Sequence, residues 1–173
     1  MLFYDIEMKV LPVISDMELS GVSVDQVHIN YLKSIFEKKS ISLKQKIYNY
    51  SEEVFNINST KQLAYILFDK LKLPIIKKLK TGYSTDSSVL EKLKAKHPII
   101  QELIEYRMVE KLLTTYVNSL PRLISPITNK IHANFNQTIT MTGRLSSTTP
   151  NLQNIPIRSE DGQQIRQSFI PSS

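Results

Sequence analysis

The sequence Thr140-Met-Thr-Gly-Arg-Leu-Ser-Ser-Thr-Thr-Pro-Asn-Leu-Gln-Asn-Ile-Pro-Ile-Arg158 combines two arginines, one glycine and two prolines with many hydroxyl and amide side chains. No amphipathic period runs through it, so it predicts a strand end, loops and turns rather than a helix. Gly143 permits a positive φ, and Arg144 beside it presents five donors in a fixed fork. Such a surface suits sugar, phosphate and base-edge acceptors. A polar loop that only satisfies its own backbone is the alternative.

Positive charge is concentrated in one part of the chain. Residues 70–96 hold eight lysines against Asp86 and Glu91, and this excess equals the net charge of +6 of the whole protein. A local basic field of this kind favours a polyanionic partner. The alternative is a pair of lysine-rich helices whose side chains are only solvated.

The composition limits the class of protein. A length of 173 residues, with 41% hydrophobic and 22% charged residues, predicts a soluble globular protein of one or two domains. The chain has no cysteine, which excludes disulfides and thiolate chemistry and fits a cytoplasmic location. No apolar run approaches the roughly 18 residues of a membrane span. The acidic residues near Met1 are not typical of a signal peptide.

Apolar residues at helical spacing predict most of the chain to be helical. The first helix covers 3–20, with Pro12 expected to kink it and Gly21 to end it. Asp25 is expected to cap a second helix that runs to about residue 50. Its predicted apolar stripe comprises Val27, Tyr31, Ile35, Phe36, Leu43, Ile47 and Tyr50, and its lysines 38, 39, 44 and 46 are expected to be solvated.

A third helix begins near Ser59, which forms a capping box with Gln62, and it stops before Pro74. The amides at its start, with Thr60 and Lys61, favour an anion, although most helix starts serve only the helix. A lysine-rich turn containing Gly82 follows. A short helix capped by Thr85 or Asp86 then runs to about residue 96.

The helix predicted from Pro98 to about Asn118 has two faces. Its apolar face comprises Ile99, Leu103, Tyr106, Leu113 and Val117. Its second face carries Arg107, Lys111, Thr114 or Thr115, and Asn118. A stripe of cations and neutral donors suits a phosphate backbone. An ordinary exposed surface, with Glu102, Glu105 and Glu110 nearby, is the alternative.

Strand and turn signals dominate the last third of the chain. Pro121 and Pro126 break the helix, and alternation at Ile131, Ala133 and Phe135 predicts a half-buried strand. A short helix is predicted over 159–166, and an extended segment follows at 169–171.

The segment from Thr142 to Arg158 resembles the start of the palm in family A DNA polymerases, the bacterial DNA polymerase I group. The similarity continues through Glu160-Asp-Gly-Gln-Gln-Ile-Arg-Gln-Ser-Phe-Ile-Pro171. It also extends backward over the chain, which resembles the thumb of that family. The resemblance implies an α+β, mostly α fold, in which a helical thumb precedes a small antiparallel β segment.

The resemblance also implies a domain organisation. Residues 1–24 would form a palm-base helix and link, 25–120 the thumb with its tip at about 75–88, and 121–173 an incomplete start of the palm. The residues that it assigns to DNA binding are Asn58, Ser59, Thr60, Lys61, Lys77, Lys78, Lys80, Thr81, Arg107, Lys111, Thr115, Arg144, Ser146, Asn151, Gln153, Asn154 and Arg158.

Among these residues, Arg144 is expected at the minor groove of the primer end. An ion pair with a palm acid is the alternative for Arg144, and Arg158 is alternatively a brace within the palm.

The resemblance implies part of a DNA-directed DNA polymerase, a nucleotidyltransferase of DNA replication and repair. Its partners would be primer–template duplex DNA and the remaining palm and fingers, without a membrane. The metal-binding aspartates of the family would lie beyond Ser173, so no cofactor is expected in this chain and two Mg²⁺ are expected in the complete enzyme.

The isolated chain is then expected to be inactive. A stand-alone helical module that binds nucleic acid or a protein is the alternative, and sequencing beyond codon 173 would separate the two.

Overall fold

The fold is described by a computed structural model over residues 3–80, 82–157 and 159–171. Helices dominate it and the strands form short antiparallel pairs, which confirms the predicted α+β, mostly α class. The helices are α1 (Met8–Ser20), α2 (Gln26–Ser51), α3 (Thr60–Ala64), α4 (Ser87–Leu93), α5 (Ile99–Leu112) and α6 (Glu160–Gln167). The strands are β1 (Ser23–Val24), β2 (Lys78–Leu79), β3 (Gly82–Tyr83), β4 (Asn134–Asn136), β5 (Ser146–Thr148) and β6 (Phe169–Ile170).

Several helices are extended by turns of other geometry. A π-helical turn precedes α1 at Phe3–Glu7, another continues α3 at Tyr65–Lys70, and another continues α5 at Leu113–Val117. Turns of 3₁₀ helix lie at Leu120–Leu123 and Leu152–Asn154. The helix predicted over 98–118 is therefore present, although its last turn is wider than an α-helix.

The chain divides into two compact units, each described separately below. We call Ile35–Lys111 the helical unit, and Met1–Ser34 with Leu112–Ser173 the mixed unit. Both boundaries fall within helices, α2 and α5. The thumb predicted over 25–120 is longer than the helical unit at both ends, and its assignment stays a prediction.

The mixed unit holds two of the strand pairs. In one pair, β1 lies antiparallel to β6 with Val24 opposite Phe169; in the other, β4 lies antiparallel to β5 with Phe135 opposite Ser147. Ile131 is fully buried and bridges both Val22 and Ile124. The predicted strand is thus shorter than the alternation suggested, because Ile131 pairs only locally and the continuous ladder begins at residue 134.

The end of α1 is fixed by its contacts with the segment before β4. Gly21 ends the helix as predicted, with a φ of +62°, and a Cβ at this position would lie 2.8 Å from a ring carbon of His132. The His132 ring Nδ1 lies 2.7 Å from the Glu18 carbonyl, and the Phe135 amide donates to the Glu18 carboxylate at 2.6 Å. Glycine is therefore required here for both its conformation and its size.

The helical unit has a core of leucine, isoleucine and phenylalanine from α2, α3, α4 and α5. Its fully buried members include Phe36, Ile47, Leu63, Leu67, Leu90, Leu93, Ile99 and Leu103. Ion pairs join α2 to α5, with Lys39 2.9 Å from Glu105 and Lys46 3.3 Å from Glu102. The sequence predicted that these lysines are solvated; Lys46 is 54% exposed, and both lysines also pair with acids of α5, which the sequence did not predict.

The apolar stripe of α2 differs from the prediction in its first half and at Tyr50, which is 39% exposed. Val27 and Tyr31 are 80% and 60% exposed, whereas Ile29 and Leu32 are buried. Phe36, Leu43 and Ile47 are buried as predicted. A spacing of four residues advances about 400° round a helix, so a run of such steps drifts off the buried face.

Two of the predicted helix caps are present, at Asp25 and Ser59, but Gln62 binds a different residue from the one predicted. Asp25 accepts a hydrogen bond from the His28 amide at 2.9 Å, and Ser59 accepts one from the Gln62 amide at 3.4 Å. The Gln62 side chain, however, accepts from the Asn56 amide at 2.7 Å instead of completing the capping box at Ser59. At α4, Asp86 occupies the cap position without a capping hydrogen bond from its side chain.

Exposed apolar side chains cluster in sequence between residues 3 and 19. Those that are at least 46% exposed are Phe3, Tyr4, Ile6, Met8, Leu11, Val13, Met17 and Leu19, while Ile14 is buried. The π-helical turn and α1 therefore leave a large apolar area unburied, which is typical of an interaction surface. Across the part of the chain that the structure describes, no helix combines the length and apolarity needed to cross a membrane.

Replacing Gly162 with Ala is expected to lower the free energy of unfolding by about 1–3 kcal/mol. Alanine normally stabilises a helix interior relative to glycine by about 1 kcal/mol. At this position, however, a Cβ would lie 2.6 Å from Pro156 Cβ and 2.9 Å from the Pro156 carbonyl oxygen. Urea denaturation of the 173-residue chain measures the change.

Gln167→Ala in the same helix is the control, because Gln167 is exposed and its substitution is expected to change stability by less than about 0.5 kcal/mol. A Gly162→Ala chain that is more stable than the unaltered chain would show that Pro156 gives way.

Candidate nucleic-acid interface

The start of α3 presents polar groups on the helical unit. Asn58, Thr60 and Lys61 are exposed, and Ser59 is half-buried with its hydroxyl engaged in the helix cap. The Asn58 amide donates to the Asn56 side chain at 3.0 Å, so the turn before the helix is also closed by side chains. The Thr60 hydroxyl and the Lys61 ammonium are therefore the groups that this helix start presents to solvent.

The predicted tip is a short antiparallel hairpin. Lys78 lies opposite Tyr83, and Leu79 lies opposite Gly82. Lys77, Lys78 and Lys80 are all exposed, and the Lys78 ammonium lies 5.9 Å from the centre of the Tyr83 ring. Thr81, which was also predicted to bind DNA, lies outside the described residues. Two strand residues on each side give little burial, so the hairpin depends on its neighbours for its position.

The structure brings the hairpin and the start of α3 together. A cavity of about 590 Å³ is lined by residues of both, among them Thr60, Lys61, Tyr65, Leu79 and Tyr83. The Ser84–Asp86 segment that leads into α4 lines the same cavity. Of the predicted site residues, Thr60 and Lys61 line this cavity, whereas the hairpin contributes Leu79, Gly82 and Tyr83 and not its lysines.

Asp86 is an acid that pairs with a lysine of the hairpin segment. Its carboxylate lies 3.5 Å from the Lys77 ammonium. A hydrogen bond with the Ser84 side chain is the largest cause that keeps the pKa of Asp86 below its ordinary value, and the charges of Lys77 and Arg107 act in the same direction. The two side chains are 55% and 56% exposed, so this pair leaves Lys77 accessible to solvent and to a ligand.

Arg107 and Lys111 differ in their surroundings, although the sequence places them on one stripe of α5. Lys111 is exposed, whereas Arg107 is half-buried and its guanidinium donates to the carbonyl oxygen and the hydroxyl of Thr85. Burial lowers the pKa of Arg107, and the charge of Asp86 partly offsets this. The sequence did not predict Thr85 as a partner of Arg107, because Thr85 was predicted only as a helix cap and lies 22 residues away.

The mixed unit carries the remaining predicted residues. Arg144 is exposed just before β5, and within the described residues its guanidinium forms no hydrogen bond or ion pair. The ion pair that was its alternative role is therefore absent from this part of the chain. Gly143 beside it has a φ of +71° and open space around it. Thr115 is exposed on the last turn of the long helix.

Several predicted side chains instead hold the loop after Arg144 in place. The Gln153 side chain donates to the Leu145 carbonyl at 2.9 Å, and the Asn151 side chain accepts from the Gln153 amide at 3.0 Å. The Asn154 carbonyl accepts a hydrogen bond from the Tyr116 hydroxyl. The Ser146 hydroxyl is buried and unpaired among the described residues, and Arg158 lies outside them.

Comparison with known proteins places this geometry in a family. The family model for DNA polymerase family A matches residues 26–173. The chain is 46% identical over 171 residues to DNA polymerase I of Geobacillus stearothermophilus, covering 99% of this chain and 20% of that protein. It is 49% identical over 174 residues to DNA polymerase I of Bacillus subtilis (strain 168), covering 99% of this chain and 19% of that protein. The chain thus spans about a fifth of the length of these curated relatives.

A solved structure supports the same assignment. The POL domain of Pol1 from M. smegmatis, in complex with DNA primer-template and dNTP, superposes with a TM-score of 0.91 at 41% identity. The match covers 98% of this chain and 30% of that one. The family model covers residues 26–173 and the structural match covers nearly the whole chain, and the chain belongs to DNA polymerase family A.

Proposed function

We propose that this chain grips primer–template duplex DNA as the thumb and the start of the palm of a DNA-directed DNA polymerase. The observation that carries the proposal is the similarity over 98% of the chain to a polymerase domain that holds DNA primer-template and dNTP. The activity of the complete enzyme is nucleotide addition during DNA replication and repair. The absence of cysteine fits the cytoplasmic location that we propose with it.

Most of the proposed phosphate contacts come from the helical unit, and Thr115 adds one from the mixed unit. The proposed residues of the helical unit are Asn58, Ser59, Thr60, Lys61, Lys77, Lys78, Lys80, Thr81 and Lys111. The exposure of the lysines supports this role, since exposed ammonium groups can replace counterions along a DNA backbone. Such contacts give affinity and orientation without reading sequence.

Arg144 acts at the minor groove of the primer end. Purine N3 and pyrimidine O2 are acceptors in every correct base pair, so a charged donor there tests pair geometry without reading sequence. The exposed, unpaired guanidinium and the open space at Gly143 support this role. Gln153 contributes by holding the Leu145 carbonyl next to Arg144. Ser146, Asn151, Asn154 and Arg158 are further DNA contacts in this proposal.

Catalytic metal ions belong to the complete enzyme in this proposal, bound by carboxylates of the remaining palm. Two Mg²⁺ ions there would stabilise the attacking and leaving oxygens of the displacement. The described residues contain no group of three or more His, Cys, Asp and Glu that could hold a metal ion, and no step proposed for this chain involves one. The palm and fingers of the same enzyme are its protein partners.

The 173-residue chain alone is expected to extend no primer. The measurement is primer extension with magnesium and all four nucleotides, with the complete polymerase as the positive control. Activity that survives purification and disappears in Arg144→Ala would contradict the expectation, because it would place catalysis in this chain.

Replacing Lys77, Lys78 and Lys80 together with Ala is expected to weaken binding to duplex DNA and to flatten its dependence on salt. Each phosphate contact that is lost reduces the slope of log K against log salt concentration by about 0.9. Fluorescence anisotropy with duplexes of unrelated sequence at several salt concentrations measures the slope.

The matched control removes three exposed lysines of α2, Lys33, Lys38 and Lys44, and thus the same charge from a helix with no proposed DNA contact. Equal slopes for the hairpin variant and the unaltered chain would show that the hairpin does not touch DNA.

Arg144→Ala in the complete polymerase is expected to slow nucleotide addition on matched primer ends by the equivalent of about 1–3 kcal/mol. Mismatched ends should slow less, because their minor-groove acceptors are displaced from the arginine. Single-turnover kinetics on matched and mismatched primers measures both rates.

Arg122→Ala is the control, because Arg122 is another exposed arginine of the mixed unit, without a proposed contact to DNA. If Arg144→Ala slows matched and mismatched ends by the same factor, Arg144 is a structural brace instead.

A further inference from the structure

The side chain of Arg107 reaches across the helical unit from α5 to the residue two positions before α4. One guanidinium nitrogen lies 2.5 Å from the Thr85 carbonyl oxygen, and the other terminal nitrogen lies 3.2 Å from the Thr85 hydroxyl. Thr85 is only 4% exposed, and Arg107 is half-buried. The fork of the guanidinium therefore binds two oxygens of one residue, an arrangement that the single ammonium of lysine cannot reproduce.

Thr85 belongs to a segment that is tied to the basic hairpin. The amide of its neighbour Ser84 donates to the Lys77 carbonyl at 3.0 Å, and Ser84 is only 1% exposed. On the other side, Asp86 pairs with the Lys77 ammonium at 3.5 Å, and its amide donates to the Ser84 hydroxyl at 3.3 Å. The three-residue segment Ser84–Asp86 thus links Lys77, at the base of the hairpin, to the start of α4.

Beyond this segment, the hairpin is held by Tyr83, whose ring meets that of the buried Phe68 edge-on with the ring centres 5.4 Å apart. Its own ladder comprises two residue pairs, and Leu79 at its end is 46% exposed. A ladder this short with exposed side chains is only marginally ordered by itself. Fixing the Ser84–Asp86 segment against α5 therefore restricts the hairpin, and Arg107 is the α5 side chain that binds that segment through two hydrogen bonds.

We propose that Arg107 is a positioning residue, which holds the Ser84–Asp86 segment against α5 and so places Lys77, Lys78 and Lys80 for the duplex. It acts on duplex binding through these lysines and not through a phosphate contact of its own. The effect on DNA binding rests on the proposed function. The contact of Arg107 with the Ser84–Asp86 segment is a property of the free protein.

Hydrogen exchange in the free chain tests whether Arg107 orders the Ser84–Asp86 segment. Arg107→Ala and Arg107→Lys are both expected to speed exchange of the Ser84 amide, and of the Val89 and Leu90 amides that bond to the Asp86 carbonyl, by about tenfold, the effect of losing a charged hydrogen bond. Lys111→Ala, one turn further along α5, is the control and should leave these amides unchanged. Unchanged exchange in both Arg107 variants would overturn the proposal.

Duplex binding then separates positioning from direct contact. Salt slopes are measured for Arg107→Ala, for the Lys77, Lys78 and Lys80 triple alanine variant, and for the two combined. Positioning predicts that Arg107→Ala flattens the slope in the unaltered background and adds nothing in the triple variant. Equal flattening in both backgrounds, or full binding by Arg107→Lys, would show a direct phosphate contact and overturn the proposal.

Two further outcomes are distinguishable. A general loss of stability would lower the unfolding midpoint without this pattern of salt slopes, and it would count against positioning. Thr85→Val retains the backbone carbonyl and is expected to give a smaller change of the same kind if Arg107→Ala does not fold. Absence of duplex binding by the unaltered chain would refute the proposed function and the DNA half of this inference, while hydrogen exchange still decides the holding of the segment.

Discussion

Burial of one apolar face along the helix that begins at Ile99 is the constraint on which the rest of the chain depends. Ile99, Leu103 and Tyr106 are at most 5% exposed in the helical unit, and Leu113 and Val117 are also buried in the mixed unit. Each such side chain contributes about 1.5–3 kcal/mol when it is removed from water. Because this face fixes the rotation of the helix, it also decides where the polar side chains point. Glu102 and Glu105 meet lysines of α2, and Arg107 meets Thr85.

Features that depend on neighbouring residues could be read from the sequence. The apolar face of α5, the end of α1 at Gly21, and the caps at Asp25 and Ser59 are all local, because each involves residues within one or two helical turns. The buried face of α2 was harder to identify. Val27 and Leu32 are equally apolar in type, and only packing against other elements decides that Val27 is exposed and Leu32 buried.

In the candidate site, too, some features could be predicted from the sequence and others depend on tertiary packing. The lysines of the hairpin and Arg144 are exposed, as basic residues in turns usually are, and the sequence was enough to find them. The sequence could not show that Arg107 would bind Thr85, because the acceptor comes from a distant segment whose position is set by tertiary packing. Gln153 was predicted as a DNA contact from the family resemblance, and its hydrogen bond to the Leu145 carbonyl depends on the folded loop.

The hydrogen bond from the Tyr116 hydroxyl to the Asn154 carbonyl affects which substitutions residues 116 and 154 tolerate. The phenol binds the carbonyl oxygen of Asn154, and its burial raises the pKa of Tyr116, so the bond persists well above neutral pH. A backbone acceptor is present whatever side chain residue 154 carries. The anchor therefore constrains the identity of residue 116 but leaves residue 154 free to vary for other purposes, such as a change in what that side chain recognises.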